Sequence, residues 1–337
     1  MASSPVHSKL KSALIGDATS ISQVFSAGRL ERLQELTDLQ GELVPSPSLV
    51  ENLPRLAEVE VIFGTWSMPE FTPQVLAAMP KLKAVFYAAG SVRYFGLPLL
   101  EKGITLVSAW RANAIPVAEF TLAQILLATK GYFHNVAEYV HPDVLFTAHR
   151  GRGNFGETVA LLGCGAIGSK VAEYLRNFHL QVKVYDPFLS DERAAALNVT
   201  RVSLPEAFAE GYVVSNHLPD LPETRSSLTR SHFASMRKHA TFINTGRGIT
   251  VDEAALIEVM QERPDLTALL DVTHPEPPQA GSLLYTLPNI HVTTHIAGSL
   301  GDEVIRMADY CFEDFLRWRS GQQPLYEVTL AQLQTMA

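Results

Sequence analysis

The chain has 337 residues, 47% of them hydrophobic and 18% charged, which is too long for one typical domain and suits two folded ones with real cores rather than a disordered chain. Lys and Arg number 27 against 35 Asp and Glu, and a formal charge of −8 argues against nucleic acid or an anionic membrane as partner, since both require a basic footprint. The two cysteines, Cys164 and Cys311, are far apart and stand outside any C-x-x-C spacing, which argues against a disulfide framework or a zinc site and for a reducing compartment.

The opening stretch, MASSPVHSKLKSALIGD, lacks an apolar segment before a cleavage site, so no secretory signal is expected. No apolar run is read as approaching the roughly 20 residues of a membrane span, and the cytoplasm is the expected location. Strands are predicted at 12–17 (SALIGD), 59–65 (VEVIFGT), 82–90 (LKAVFYAAG) and 104–110 (ITLVSAW), with SQVFSAGRLERLQEL among the helical stretches between them. Residues 115–133, IPVAEFTLAQILLATKGYF, predict a long helix connecting two domains. From about residue 158 a second series follows: TVALLG, QVKVYD, YVVSNHLP, ATFINTG, TALLDVT and HVTTH. GDEVIRMADYCFEDFLRWRSG reads as a final amphipathic helix stopped at Gly321. The strand runs are nearly continuously apolar, so both sheet faces are covered and two α/β units with parallel sheets are expected.

Within the second series, LLGCGAIGSKVAEYL carries Gly163, Gly165 and Gly168 in G-x-G-x-x-G spacing between a predicted strand and a predicted helix. The first glycine permits the tight turn, the second lets backbone approach a pyrophosphate, and the third lets helix close on strand. The helix start then offers unpaired N–H groups to the phosphates. The next strand ends in Asp186, 18 residues after Gly168, where a carboxylate accepts from ribose hydroxyls and repels a 2′-phosphate; NAD is therefore expected over NADP. Cys164, inside the loop, is read as a small packing residue.

Three more strand ends carry polar side chains. Arg247 follows ATFINTG, Glu276 lies in the HPEPP that follows TALLDVT, and His295 is read as the last residue of the strand HVTTH. In one parallel sheet all three stand at the carboxyl edge, where open α/β sheets bind ligands. Any one alone could be a solvated or packing residue; the convergence beside a dinucleotide loop is the signal. His-rich metal spacing is absent, and no metal is expected.

The string running from GCGAIGSKVA through YDP, HLPDLPET, INTGRG, DVTHPEP and TTHIAG resembles the D-isomer-specific 2-hydroxyacid dehydrogenase family across most of the second domain. Arg247, Glu276 and His295 match that family's Arg, Glu and His positions, with 29 and 19 residues between them. The resemblance implies two Rossmann-like or flavodoxin-like doubly wound parallel-sheet domains with a cleft between them. A discontinuous substrate domain would comprise 1–112 plus 302–337, and an NAD-binding domain 113–301. It implies a homodimer formed across the NAD-binding domains with help from the VAEF helix. It also implies cofactor contacts at Gly163, Gly165, Ala166, Ile167, Gly168, Asp186, His217, Pro219, Thr245, Arg247, Asp271, His295 and Gly298. Asp271 would reach the nicotinamide carboxamide by family analogy, or serve structurally at its strand end. Because the sequence ends soon after its last predicted helix, a regulatory domain of the kind that some phosphoglycerate dehydrogenases append is not expected.

The implied reaction is interconversion of a 2-oxo acid and a D-2-hydroxy acid. His295 would exchange a proton with the substrate oxygen, a task suited to a side chain whose ordinary pKa is about 6.5. Glu276 would orient the ring and favour its protonated form. Arg247 would pair with the substrate carboxylate and polarise its carbonyl. Substrate contacts are expected at Gly90, Ser91, Arg93 and Arg247. The loop there reads YAAGSVRYFGLPLLEKG, where family members commonly carry A-G-x-G-x-D-x-x-D; Val92 replaces the second glycine. Arg93 either recognises a second anionic or hydroxyl-rich group on the substrate or is a solvated loop arginine. Two rival functions share the fold: an NADH-sensing corepressor-like scaffold with little turnover, and a formate or phosphite dehydrogenase.

Overall fold

The computed structural model describes residues 9–335. The chain divides into two units, one built from the chain up to Asn113 together with the chain from Ser299, the other from Ala114–Gly298.

Among the described residues the first unit holds six strands: Lys11–Gly16 (β1), Asp38–Leu39 (β2), Val44–Pro45 (β3), Val61–Gly64 (β4), Ala84–Tyr87 (β5) and Thr105–Ser108 (β6). They run in the order β2-β1-β4-β5-β6, with β3 also beside β1, and every pairing among them is parallel. The core strands β4 and β5 are buried along their whole length, as expected for apolar runs without alternation. The C-terminal helix Ile305–Arg319 belongs to this unit because its buried positions Met307, Ala308, Cys311, Phe312 and Phe315 recur every three or four residues and join the same core. Phe63 stacks on Phe86 at 5.2 Å and meets Phe315 edge-on at 5.4 Å. The buried Asp314 accepts from the Leu325 and Tyr326 amides, each at 2.7 Å, and so holds the returning tail, which bridges antiparallel to β6 through Val107 and Glu327.

The second unit is a seven-stranded sheet of Phe155–Leu162 (β7), His179–Tyr185 (β8), Thr200–Arg201 (β9), Val213–Asn216 (β10), Thr241–Asn244 (β11), Thr267–Leu270 (β12) and Ile290–Val292 (β13). Its order is β13-β12-β11-β10-β7-β8-β9, parallel throughout. The order reverses between β7 and β10, the switch point at which doubly wound sheets open a ligand crevice. The register aligns Leu162 with Tyr185 on one side and with Asn216 on the other, then Asn216 with Asn244, Asn244 with Leu270, and Leu270 with Val292. Gly163, Asp186, His217, Thr245, Asp271 and Thr293 therefore all leave the sheet at one level.

Several sequence expectations need correction. SQVFSAGRLERLQEL is two helices, Ala18–Val24 and Arg29–Leu36, because Ala27 and Gly28 take left-handed backbone at φ 48° and 82°. The connecting helix is Trp110–Thr129, starting earlier and stopping sooner than expected, with the chain turning at Gly131. By length and apolar composition alone this helix qualifies as a membrane span, contrary to expectation, but half of its most apolar window is buried in the protein. Its Ala118, Ile125 and Ala128 are core residues of the second unit. His295 is not a strand residue: β13 stops at Val292, and His295 sits in the following bend at φ 59°.

Candidate active site at the carboxyl edge of the second sheet

The glycine turn after β7 has the expected construction. Gly163 adopts φ +90°, open to glycine and strained for other residues, and a Cβ on Gly168 would lie 2.0 Å from the Gly163 carbonyl oxygen. A Cβ on Gly165 would meet nothing within 4 Å, so space for a ligand lies above it. The helix Ala166–Leu175 starts there with Gly165 as N-cap and no side-chain cap, leaving its first amides available to an anion. Ala166 and Ile167, in its first turn, are not fully buried. Asp186 Oδ2 accepts from the Cys164 amide at 2.6 Å, which ties the acidic strand end to the turn. An open glycine loop, an uncapped helix start and an acidic residue on the next strand fit the pyrophosphate and ribose of a dinucleotide. Among the described residues no group of His, Cys, Asp and Glu is arranged to hold a metal ion.

The next turns bring His217, Pro219 and Thr245 to the same edge. His217 is buried, its Nε2 3.0 Å from Ser215 Oγ and its Nδ1 3.4 Å from Thr245 Oγ1. Burial pushes its pKa down to about 3, so its ring is neutral at physiological pH. Thr245 in turn contacts Thr121 at 3.0 Å. Half-buried Pro219 shapes the turn, its carbonyl accepting from the Leu221 amide at 3.2 Å.

Arg247 is placed by two asparagines that the sequence reading missed. Asn244 Oδ1 accepts from the Gly246 amide at 3.1 Å and from Asn216 Nδ2 at 3.0 Å, and Asn216 Nδ2 also donates to Thr250 Oγ1 at 2.9 Å. Thr250 Oγ1 closes the turn by donating to the Arg247 carbonyl at 2.7 Å. Both asparagines are fully buried polar residues ending apolar runs, and that interruption was the available signal. Arg247 Nη1 donates to the Gly246 carbonyl at 2.8 Å. Burial pulls its guanidinium below the usual arginine range, opposed by the Asp220 and Glu276 carboxylates. A cation so desolvated gains from an incoming anion.

His295 and Glu276 meet. His295 Nδ1 lies 2.7 Å from Glu276 Oε1. An ionised carboxylate only accepts, so Nδ1 carries the proton in this bond and Nε2 is left for exchange with a ligand. Both side chains are about half exposed, at 52% and 42%. Each loop is held from beneath. Asp271 Oδ1 accepts from Thr293 Oγ1 at 2.6 Å and the Ile296 amide at 2.8 Å, while Oδ2 accepts from the Ala297 amide at 3.0 Å. The Glu276 loop is tied by the His274 amide donating to Glu253 at 3.1 Å and by Thr273 Oγ1 donating to the Pro275 carbonyl at 2.9 Å. Gly248 lets the Arg247 turn touch this loop, since a Cβ there would stand 2.1 Å from the Thr273 backbone. Gly298, half-buried, closes the unit.

Gly90, Ser91 and Arg93 form a separate group in the first unit, just past β5. The Gly90 carbonyl accepts from Ser108 Oγ at 2.5 Å, and the Arg93 amide approaches Ser91 Oγ at 3.4 Å. Val92, in place of a glycine, is fully buried and anchors this loop in the core.

Residues 124–297, just over half of the chain, match the NAD-binding domain of the D-isomer-specific 2-hydroxyacid dehydrogenases. A D-3-phosphoglycerate dehydrogenase of Bacillus subtilis is 29% identical over 265 residues, covering 78% of this chain and 50% of that protein. YoaD of the same organism, provisionally named a 2-hydroxyacid dehydrogenase, is 30% identical over 246 residues, 69% of each chain. The chain thus spans about half the length of the phosphoglycerate dehydrogenases it matches. Among solved structures, the TT0316 protein from Thermus thermophilus superposes with a TM-score of 0.73 at 27% identity, over 95% of this chain and 100% of that one. The D-mandelate dehydrogenase of Rhodotorula graminis shares the fold, with a TM-score of 0.77 at 21% identity over 96% and 98% of the two chains.

Proposed function

The chain belongs to the D-isomer-specific 2-hydroxyacid dehydrogenase family, and from that premise we propose that it is an NAD-dependent oxidoreductase interconverting a 2-oxo acid and a D-2-hydroxy acid. The observation that carries this reading is the 2.7 Å bond between His295 and Glu276, in the unit whose glycine loop suits a dinucleotide. NADH, when bound, supplies the hydride. His295 hands the Nε2 proton to the forming alkoxide, and Glu276 holds the ring in the tautomer and orientation that this requires. Arg247 binds the substrate carboxylate and polarises the adjacent carbonyl, with its desolvated planar fork suited to both. Gly163, Gly165, Ala166, Ile167, Gly168 and Asp186 hold the adenosine and pyrophosphate half of the cofactor. Gly90, Ser91 and Arg93 belong to the substrate side.

The test is oxidation of NADH against a panel of 2-oxo acids, from glyoxylate and hydroxypyruvate to phosphorylated and sugar-derived ones. His295→Ala is expected to lower kcat/KM roughly 10²- to 10⁴-fold, the range for loss of a general acid. Glu276→Gln is expected to lower it about 10- to 100-fold, by analogy with loss of a partner that orients a ring. NADH affinity should hold in both. NADH binding without turnover on any acid would overturn the dehydrogenase reading and favour the sensing scaffold.

The protein is further proposed to act as a homodimer through its NAD-binding units. Val117 and Ala118 of the VAEF segment are buried within the chain itself. The support comes from the stretch that follows, where Val136, Val140, Phe146 and Phe155 are 56%, 82%, 82% and 78% exposed. Phe146→Asp combined with Val140→Asp should convert a dimer to a monomer in light scattering; a wild-type monomer would refute the dimer. A cytoplasmic setting is proposed as well; Cys164 and Cys311 are free thiols, both buried.

A further inference from the structure

Cys164 lies between the first two glycines of the loop, and both sides of its backbone are gripped. Its amide donates to Asp186, and its carbonyl accepts from Arg193 Nη2 at 2.8 Å and from Ser169 Oγ at 2.8 Å. Arg193 Nη2 also donates to Ser169 Oγ at 2.6 Å. Arg193 stands on the helix Asp191–Leu197, whose N-cap Ser190 accepts from the Arg193 amide at 3.2 Å. The arginine therefore joins the segment beyond Asp186 to the glycine loop and to the start of the Ala166–Leu175 helix.

The peptide joining Cys164 to Gly165 is planar and trans, so its C=O and N–H point in opposite directions. A guanidinium holding the Cys164 carbonyl on one side turns the Gly165 amide toward the other. That amide has no acceptor among the described residues, and a side chain built on Gly165 would enter open space. The dinucleotide pyrophosphate approaches this loop from that open side.

We propose that Arg193 is a cofactor-positioning residue, aiming the Gly165 amide at the pyrophosphate by fixing the Cys164 carbonyl. This rests on the proposed function insofar as the loop takes a nicotinamide dinucleotide. It adds a residue on a separate helix to the set that Asp186 and the three glycines form. No contact between Arg193 and the reacting atoms is involved, so its effect falls on cofactor affinity and not on the chemical step.

The experiment is a fluorescence titration of NADH and of ADP-ribose, without substrate, against wild type, Arg193→Ala and Arg193→Lys, followed by turnover at saturating NADH. Arg193→Ala should raise both Kd values by about tenfold, the lower end for a hydrogen bond to a charged group. Turnover at saturation should stay within twofold. Arg193→Lys, with a point charge in place of a fork, should recover only part of the affinity. A Kd within twofold of wild type in Arg193→Ala, or a kcat at saturation that falls as far as affinity does, overturns the proposal. Wild type that binds NADH but turns over no 2-oxo acid overturns the dehydrogenase reading and leaves the Arg193 inference to the titration. Wild type that binds no NADH overturns both.

Discussion

His295 holds a left-handed backbone conformation, φ 59°, that costs a non-glycine residue on the order of 1 kcal/mol. Asp271 offsets that cost. It is 2% exposed, and its two oxygens receive three hydrogen bonds from Thr293, Ile296 and Ala297 on either side of the histidine. Of the two roles open to Asp271 from its sequence position, the structural one has geometry behind it. Asp271→Ala leaves a hydroxyl and two amides without their acceptor. It should destabilise the protein by about 2–4 kcal/mol in chemical denaturation and lower kcat through loss of the histidine loop; an unchanged midpoint would remove Asp271 from this role. The sequence reading named Arg247, Glu276 and His295 as candidates from their convergence beside the glycine loop, and the structure brings His295 against Glu276. Asn216, Asn244 and Thr250 were not, because their function is to satisfy one another and the Arg247 turn, and sequence spacing does not reveal such pairs.

At the scale of elements, the aligned ends of β7, β8, β10, β11, β12 and β13 put six loops at one edge, and glycines decide how closely those loops pack. Gly248 is the clearest case, with 2.1 Å between a built Cβ and the Thr273 backbone. Gly248→Ala should push the Arg247 turn away from the Glu276 loop and cost about 1–3 kcal/mol, as overpacking does. Its kcat/KM should fall while NADH affinity persists; equal activity in the variant would show that the two loops act independently. Strand runs were readable from their unbroken apolar character, yet their limits shortened in the structure. Gly90 and His295 lie outside the strands read through them, because pairing stops where the partner strand stops. The break at Ala27 and Gly28 escaped periodicity, since a left-handed pair leaves the hydrophobic spacing on either side intact.

At the scale of the whole molecule, buried histidines contribute to the response to mild acid. Burial holds the pKa of His217 at about 3 and lowers those of His134, His149, His232 and His291. A histidine whose folded pKa lies below its unfolded value of about 6.5 contributes full stability above that value and loses it as pH falls toward the folded pKa. For His217 the window runs from about pH 6.5 to about 3, with a loss of about 2 kcal/mol by pH 5. Denaturation midpoints at pH 7 and pH 5 should show this, and His217→Gln should flatten the slope; an equal slope in the variant would assign it elsewhere. Apolar runs and the glycine spacing by themselves determined the α/β class and the dinucleotide loop, because these depend on local backbone needs and on residue type, while the resemblance of the motif string from GCGAIGSKVA to TTHIAG pointed to the family. Strand order, the common level of the loops, the 2.7 Å meeting of His295 with Glu276 and the recruitment of the C-terminal helix to the first core were decided only in the tertiary structure. They join residues far apart in the chain, and only packing and register bring such residues together.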